Sequence, residues 1–175
     1  IKQLKSFLRQ NISLKKGHLM SIEKVREHFK KWNLEKQIRE LPQSSATVEL
    51  AAKALSVEPA RIAKTLSFKD GDNACILIVC AGDSKIDNAR FKAQFGFKAR
   101  MLSPDEVLFF TGHAVGGVCP FGINSQNTKV YLDISLQRFQ TVFPACGSSN
   151  SAIELTTADL PKYTGATAWI KVTKD

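Results

Sequence analysis

The chain has 175 residues, a net charge of +9 and 43% hydrophobic residues. This length and composition are typical of one folded domain with a substantial core, and they argue against an intrinsically disordered chain. No apolar run approaches the roughly 18 residues of a membrane-spanning helix, and the cysteines form no CxxC pair, so we expect no membrane anchor, metal or cofactor. Sparse, unpatterned cysteines fit a reducing compartment, which predicts a cytoplasmic protein.

The segment 1–19 holds five basic side chains and no acidic one: Lys2, Lys5, Arg9, Lys15 and Lys16. Because Met20-Ser21-Ile22-Glu23 has the form of a translation start, we expect residues 1–19 to be vector-derived or upstream sequence and the domain to occupy residues 20–175. A basic nucleic-acid-binding arm and a targeting presequence are the alternatives. The rest of the chain is only moderately basic, which is compatible with contact to a nucleic-acid backbone without requiring it.

The first half of the chain predicts helices around one hairpin. Apolar residues at helical spacing predict a first helix with Ser21 as its N-cap: Ile22, Val25, Phe29 and Trp32. A strand over 37–41, a helix over 48–55 with a cap among residues 44–47, and a short helix over 59–64 follow. Two strands joined by a turn then predict the hairpin: 65–68 and 74–80.

The second half predicts further short elements. A helix begins at Asp83 or Ser84 and ends at Gly96, and another begins at the capping box that starts with Ser103. The remaining predictions are four strands and a short helix: strands over 130–133, 140–143, 153–155 and 168–172, and a helix over 157–163. Short strands mixed with short helices predict an α+β fold. We expect a single compact domain with a mixed, mostly antiparallel sheet or a partial barrel, surrounded by short helices.

The segment 111–122 contains four glycines and one proline and almost no charge. A loop of this composition presents backbone N–H and C=O groups, rather than long side chains, to a ligand. The alternative is a tight connection between two strands. A second loop of small residues covers 144–151.

Three side chains outside any standard catalytic motif could carry chemistry. Lys64, predicted at a helix-to-strand junction, offers a point charge for a phosphate or an oxyanion, or is a solvated lysine at a helix end. His113 and Cys119 lie six residues apart in the glycine-rich segment and could form a nucleophilic pair. Alternatively, Cys119 is only a small buried hydrophobic residue.

Several segments in a fixed order carry a resemblance to a known family: 61–66, 115–122, 145–147, 153–155 and 158–160. Together they resemble the YbaK/prolyl-tRNA-synthetase-associated editing family over roughly residues 20–175. The resemblance implies a deacylase that acts in trans on mischarged aminoacyl-tRNA, at the 3′-terminal adenosine and often of proline tRNA. It also makes prolyl-tRNA synthetase a candidate partner. The sequence predicts no oligomeric state.

The family's lysine matches Lys64, and its Gly-x-x-x-Pro loop matches Gly116 to Pro120. By this match, Lys64 would hold the terminal phosphate or ribose, and the loop backbone would line the ester carbonyl and the attacking water. The implied catalytic set is Lys64, Gly116, Gly117 and Pro120. The implied substrate-binding set is Thr65, His113, Val118, Cys119, Gly147, Ser148 and Asn150.

The substrate that the resemblance implies is a small amino acid other than cysteine. Ala152 stands where members that resemble cysteinyl-tRNA deacylases carry an acidic residue, which favours alanine, serine or threonine. Ser148 and Asn150 could instead satisfy the backbone of their own loop. The alternative functions are a non-catalytic RNA- or nucleotide-binding module of the same fold and a hydrolase that depends on Cys119.

Overall fold

The computed structural model describes residues 21–123 and 125–174. The predictions for residues 1–19 and for a start at Met20 lie outside the described residues. None of the described helices is long and apolar enough to cross a membrane.

Six strands form one curled, mixed sheet in the order β7-β5-β2-β3-β4-β8, and β1 pairs with β6. The strands are β1 (Arg39–Glu40), β2 (Ile62–Lys69), β3 (Cys75–Ala81), β4 (Thr128–Asp133), β5 (Thr141–Pro144), β6 (Ser151–Ala152), β7 (Leu155–Thr156) and β8 (Ala168–Ile170). The α+β class and the partial barrel are confirmed. The six-stranded sheet is not mostly antiparallel, because three of its pairs are parallel (β2–β5, β3–β4 and β4–β8) and two are antiparallel (β2–β3 and β5–β7).

Five α-helices in the described residues surround the sheet. They are α1 (residues 21–30), α2 (Val48–Leu55), α3 (Asn88–Phe95), α4 (Pro104–Thr111) and α5 (Leu160–Thr164). Thr47 caps α2 by accepting a hydrogen bond from the N–H of Leu50 at 3.2 Å. The predicted capping box of α4 is present in full between Ser103 and Glu106. The caps therefore fix where these short helices begin, as the sequence predicts.

The core lies on both faces of the sheet. Successive side chains of a strand point to opposite faces, and β3 is buried along its whole length. One face packs against α1, with Val25 and Phe29 fully buried. The other face packs against α3 through Phe91. Helix α2 covers the end of β2 where Ile62 meets Phe143, and the middle of β2, from Lys64 to Leu66, is only partly buried.

Two of the predicted positions near the site were wrong. Lys64 does not lie at a helix-to-strand junction: the helical turn ends at Arg61, and Lys64 is the third residue of β2. Strand pairing prevails over local propensity here, because Ala63 pairs with both β3 and β5. Ser21 is not a cap but part of α1, and its hydroxyl hydrogen-bonds to His113 instead.

Three further boundaries differ from the predictions. Helix α3 begins at Asn88, because the carboxylate of Asp87, rather than Asp83 or Ser84, accepts hydrogen bonds from the first N–H groups. The strand predicted over 37–41 is reduced to the two residues of β1. The strand predicted over 153–155 is replaced by β6 and β7, which flank Ile153 and Glu154.

Candidate active site

A cavity of about 380 Å³ opens beside β2, where the sheet has a gap. On this side of β2, β5 pairs with Ile62 and Ala63, and residues 100–102 hydrogen-bond to β2 from Ser67 onward. The gap lies between these two contacts. Backbone groups alternate in direction along a strand. Thr65 therefore points its N–H and C=O to the same side as Ser67, into the gap and away from β3. The cavity thus borders an open stretch of strand backbone.

Small and apolar side chains form most of the wall of this central cavity: Ala46, Val48, Ala51, Leu102, Val107, Val118, Phe143, Ala145 and Ala152. Hydroxyl groups add polar points: Ser45, Thr47, Thr65, Ser67 and Ser151. Among the described residues that line the cavity, Lys64 is the only titratable one. The cavity therefore combines an uncharged wall with a single cation.

Lys64 is half-buried, and its ammonium group is held at a fixed place. Its Nζ donates hydrogen bonds to the carbonyl oxygens of Gly82, at 3.1 Å, and of Ser84. A lysine ammonium has three N–H donors, so one donor remains for a ligand in the described structure. The positive charge is positioned before any ligand binds.

Thr65 adds an orphaned hydroxyl to the same wall. Its Oγ1 is buried and has no hydrogen-bond partner among the described residues. Leaving a buried hydroxyl unpaired costs about 1–3 kcal/mol. A ligand group that hydrogen-bonds to this oxygen would recover that energy.

The two glycines of the predicted loop have different roles. Gly116 has a φ of +96° and lines the cavity, and a Cβ there would lie 3.2 Å from the Cβ of Ala46. Gly117 lies outside the lining and packs on the second loop, where a Cβ would lie 2.7 Å from the carbonyl carbon of Gly147. The glycine loop therefore lines the cavity at Gly116 and packs against the second loop at Gly117.

The loop also supplies backbone donors. The N–H of Gly117 bonds to the carbonyl oxygen of Ala114 at 3.0 Å. Within residues 21–123 and 125–174, the N–H groups of Gly116 and Val118 have no acceptor. Both residues line the cavity. Pro120, the last residue of the Gly-x-x-x-Pro pattern, is buried behind the lining.

His113 and Cys119 meet, but not in the cavity. The Sγ of Cys119 lies 3.4 Å from Nε2 of His113, and both residues are 0% exposed. Burial raises the pKa of the Cys119 thiol to about 12 and lowers the pKa of His113 to about 4. A neutral imidazole beside a protonated thiol is a structural contact and not an activated nucleophile.

His113 instead joins the glycine loop to α1. Its Nε2 donates to the carbonyl oxygen of Phe121 at 2.6 Å, which leaves Nδ1 to accept from the hydroxyl of Ser21. A carbonyl oxygen can only accept, so this contact selects the Nε2–H tautomer.

The second loop stands behind the glycine loop. Gly147 has a φ of +89° and packs on Ser21, where a Cβ would lie 2.8 Å from its hydroxyl oxygen. The Ser148 hydroxyl donates to Oδ1 of Asn150 and also hydrogen-bonds to the Ser151 hydroxyl, and Asn150 exchanges hydrogen bonds with Leu41. None of Gly147, Ser148 and Asn150 belongs to the described lining, whereas Ser151 and Ala152 do. Ser148 and Asn150 thus satisfy groups of their own loop and its neighbour.

Two parts of the cavity wall were not predicted from the sequence. Residues 45–47 line it, although their composition indicated only a helix cap. Arg61 fixes the far wall: its Nε donates to the carbonyl oxygen of Thr141 at 3.2 Å, and its guanidinium lies 5.1 Å from the ring centroid of Phe143. The sequence signal for this contact was an arginine immediately before a strand. A guanidinium can stack on an aromatic ring and donate hydrogen bonds at the same time.

The sequence profile of the aminoacyl-tRNA editing domain matches residues 43–163, which include the whole described wall of the cavity. The chain belongs to the aminoacyl-tRNA editing domain family. The family predicted from the ordered motifs is confirmed, and so is its fold.

Relatives of this editing domain include a free-standing protein and a part of a synthetase. An uncharacterized protein of Bacillus subtilis, YwhH, is 58% identical over 156 residues, which are 89% of this chain and 99% of YwhH. The proline–tRNA ligase of Thermotoga maritima is 30% identical over 128 residues, 70% of this chain and 22% of the ligase. The editing domain thus spans about a fifth of that ligase.

A solved structure with the same fold is described as that of a candidate trans-editing enzyme for prolyl tRNA synthetase. It superposes on the editing domain with a TM-score of 0.78 and 29% sequence identity. The match covers 89% of this chain and 98% of that one.

Proposed function

We propose that this protein is a cytoplasmic deacylase that acts in trans and hydrolyses the ester bond of mischarged aminoacyl-tRNA. The preferred substrate is proline tRNA that carries a small wrong amino acid such as alanine, serine or threonine. The observation that supports this most is the small, apolar central cavity, bordered by two backbone N–H donors and the Lys64 ammonium, in a chain of the editing domain family. Prolyl-tRNA synthetase is the proposed source of the mischarged tRNA.

The ester carbonyl lies beside the glycine loop in this proposal. Negative charge develops on the carbonyl oxygen during hydrolysis, and the N–H groups of Gly116 and Val118 are available to stabilise it. The free donor of Lys64 holds the ribose or the terminal phosphate. The open backbone and the hydroxyl of Thr65 hold the amino acid itself.

The proton acceptor comes from the substrate in this scheme. The described lining contains no carboxylate, imidazole or thiol that could serve as a general base. The water oxygen bonds to the carbonyl carbon while the ribose hydroxyl next to the ester accepts a proton from the water. The C–O bond between the carbonyl carbon and the ribose oxygen then breaks, the relaying hydroxyl passes a proton to that leaving oxygen, and the products are a free amino acid and tRNA. An ester is already activated, so positioning of the water and stabilisation of the oxyanion suffice.

Selectivity follows from the shape of the cavity. A Cβ at Gly116 would lie 3.2 Å from the Cβ of Ala46, so the cavity wall is closely packed at this point. A rigid wall rejects a bulky ring more effectively than it attracts a methyl group. Ala152 leaves the neighbouring wall uncharged. We propose that this wall admits small side chains and rejects the proline ring.

Hydrolysis of a panel of aminoacyl-tRNAs tests this proposal. The panel consists of proline tRNA charged with proline, alanine, cysteine, serine and threonine, together with alanine and serine on their own tRNAs. We expect selective release of one small wrong amino acid, and a loss of about 10²-fold or more in the Lys64→Ala variant. Lys53→Ala, at an exposed lysine of α2, is the matched control. Absence of release from every member, or full activity of Lys64→Ala, would contradict the proposal.

A further inference from the structure

A second concave surface lies beside the central cavity and is strongly basic. It has a volume of about 480 Å³, and four basic residues and one acidic residue line it: Lys85, Arg138, Lys171, Lys174 and Asp83. We name this surface the basic groove. Arg138 binds the carboxylate of Asp83 through two hydrogen bonds of 2.5 and 3.0 Å, which lower the pKa of Asp83. The acidic residue of the groove is therefore already neutralised, and the lysines give it a positive potential.

The walls of the groove are fixed by the fold. Asp133 is fully buried and accepts hydrogen bonds from the N–H groups of Ser135, Val172 and Thr173 and from the hydroxyl of Thr173. The N–H of Lys174 bonds to the carbonyl oxygen of Lys85 at 2.9 Å. These contacts hold the end of β4 and residues 171–174 together, so the backbone that carries the lysines of the groove is held in place.

The groove and the cavity share a wall. Ser84 lines the groove, and its carbonyl oxygen accepts a hydrogen bond from Nζ of Lys64. Lys64 in turn lines the cavity. One lysine side chain thus connects the two, so a polyanion bound in the groove would lie close to a ligand bound in the cavity.

We propose that the basic groove binds the sugar–phosphate backbone of the acceptor stem of the tRNA whose 3′ end enters the central cavity. This inference rests on the proposed function, because the cavity defines which end of the RNA lies there. Lysines that neutralise phosphates position a nucleic acid without reading its sequence. The groove sets the affinity for tRNA, and the cavity selects the amino acid.

The double variant Lys85→Glu/Lys174→Glu tests the groove with two substrates. One is full-length aminoacyl-tRNA, and the other is the same amino acid esterified to adenosine alone, which has no stem. We expect kcat/KM on the tRNA to fall by about tenfold or more, chiefly through KM, with no change on the adenosine ester. The slope of log kcat/KM against log salt should decrease by about 2, since each phosphate contact contributes about 1.

Lys36→Glu/Lys98→Glu is the matched control, because both lysines are exposed, lie outside the groove and change the net charge equally. An unchanged tRNA rate and salt slope in the groove variant would overturn the inference, and so would an equal loss on both substrates or in the control. If the parent protein hydrolyses neither ester, the proposed function fails. The inference is then decided by tRNA binding, which must weaken in the groove variant and not in the control.

Discussion

Lys64 and Cys119 are the two side chains of the predicted site with the most reactive chemistry, and their surroundings are opposite. Lys64 lines the cavity with its ammonium held by two carbonyl oxygens. Cys119 is sealed from solvent, and burial raises its pKa to about 12. In the proposed reaction the lysine therefore carries the chemistry, and the cysteine is a packing residue.

Replacing Cys119 by alanine or by serine should leave turnover close to that of the parent protein. The thiol lies outside the cavity lining and is protonated at neutral pH, so the proposed reaction does not use it. The measurement is kcat on the mischarged tRNA, with Lys64→Ala as the inactive reference. A loss in both Cys119 variants as large as that of Lys64→Ala would restore the thiol to the mechanism.

At the scale of elements, two glycine-containing loops pack on each other and support the cavity from behind. Gly117 meets Gly147, and Gly147 in turn meets Ser21 of α1. This contact leaves no space for a Cβ at Gly117 or Gly147, whereas Gly116 faces the cavity. The two adjacent glycines should therefore respond to substitution in different ways.

Gly117→Ala should lower the free energy of unfolding by about 1–3 kcal/mol, because the new methyl group overlaps the backbone of Gly147. Gly116→Ala should instead reduce turnover, by up to about 10²-fold if the loop rotates its N–H groups away from the oxyanion. Gly71→Ala is the control for a positive φ alone, since Gly71 has a φ of +71° and no neighbour within 4 Å of a Cβ. Denaturant unfolding measures the loss of stability, and kcat measures the loss of turnover. Equal stability and equal kcat for Gly116→Ala and Gly71→Ala would contradict the different roles given to Gly116 and Gly117.

Local signals in the sequence were sufficient for the caps of α2 and α4 and for the central hairpin, but not for the caps of α1 and α3. The capping box at Ser103 and the antiparallel pairing of β2 with β3 are both as predicted. The parallel pairing of β2 with β5 was not predictable, because it joins residues about eighty positions apart that carry no local turn signal. The ordered motifs located Lys64 and Gly116 at the cavity, but the packing of Gly117 on Gly147 depends on tertiary structure alone.

At the scale of the whole molecule, stability should depend on pH through a buried imidazole. Burial lowers the pKa of His113 from 6.5 to about 4, so the folded protein keeps this ring neutral while the unfolded chain protonates it below about pH 6.5. The contribution of His113 to the free energy of unfolding is fully present above pH 6.5. As the pH falls from 6.5 toward 4, the free energy of unfolding decreases by about 3 kcal/mol in total. Desolvation also lowers the pKa of His28, which acts in the same direction.

Unfolding free energies measured between pH 7 and pH 4 check this expectation. The parent should lose stability across the window, and His113→Gln, although less stable at pH 7, should lose less. Carboxylates with lowered pKa values, such as Asp83 beside Arg138, begin to lose their stabilising effect only below about pH 5 and do so equally in both proteins, so the difference between them reports His113. An equal loss in His113→Gln and the parent would show that another group titrates there.

In the six-stranded sheet, the two strands that are synthesised first, β2 and β3, lie at the centre, and those that follow lie toward both edges. The β2–β3 hairpin can therefore pair while the ribosome is still translating the last third of the chain. Phe143, Ala145, Ser151 and Ala152, which complete the cavity, emerge only afterwards. A nascent chain arrested before residue 140 would hold its central hairpin and the Lys64 side chain but no closed pocket, so the proposed recognition of an amino acid would arise only after residues 143–152 have been translated.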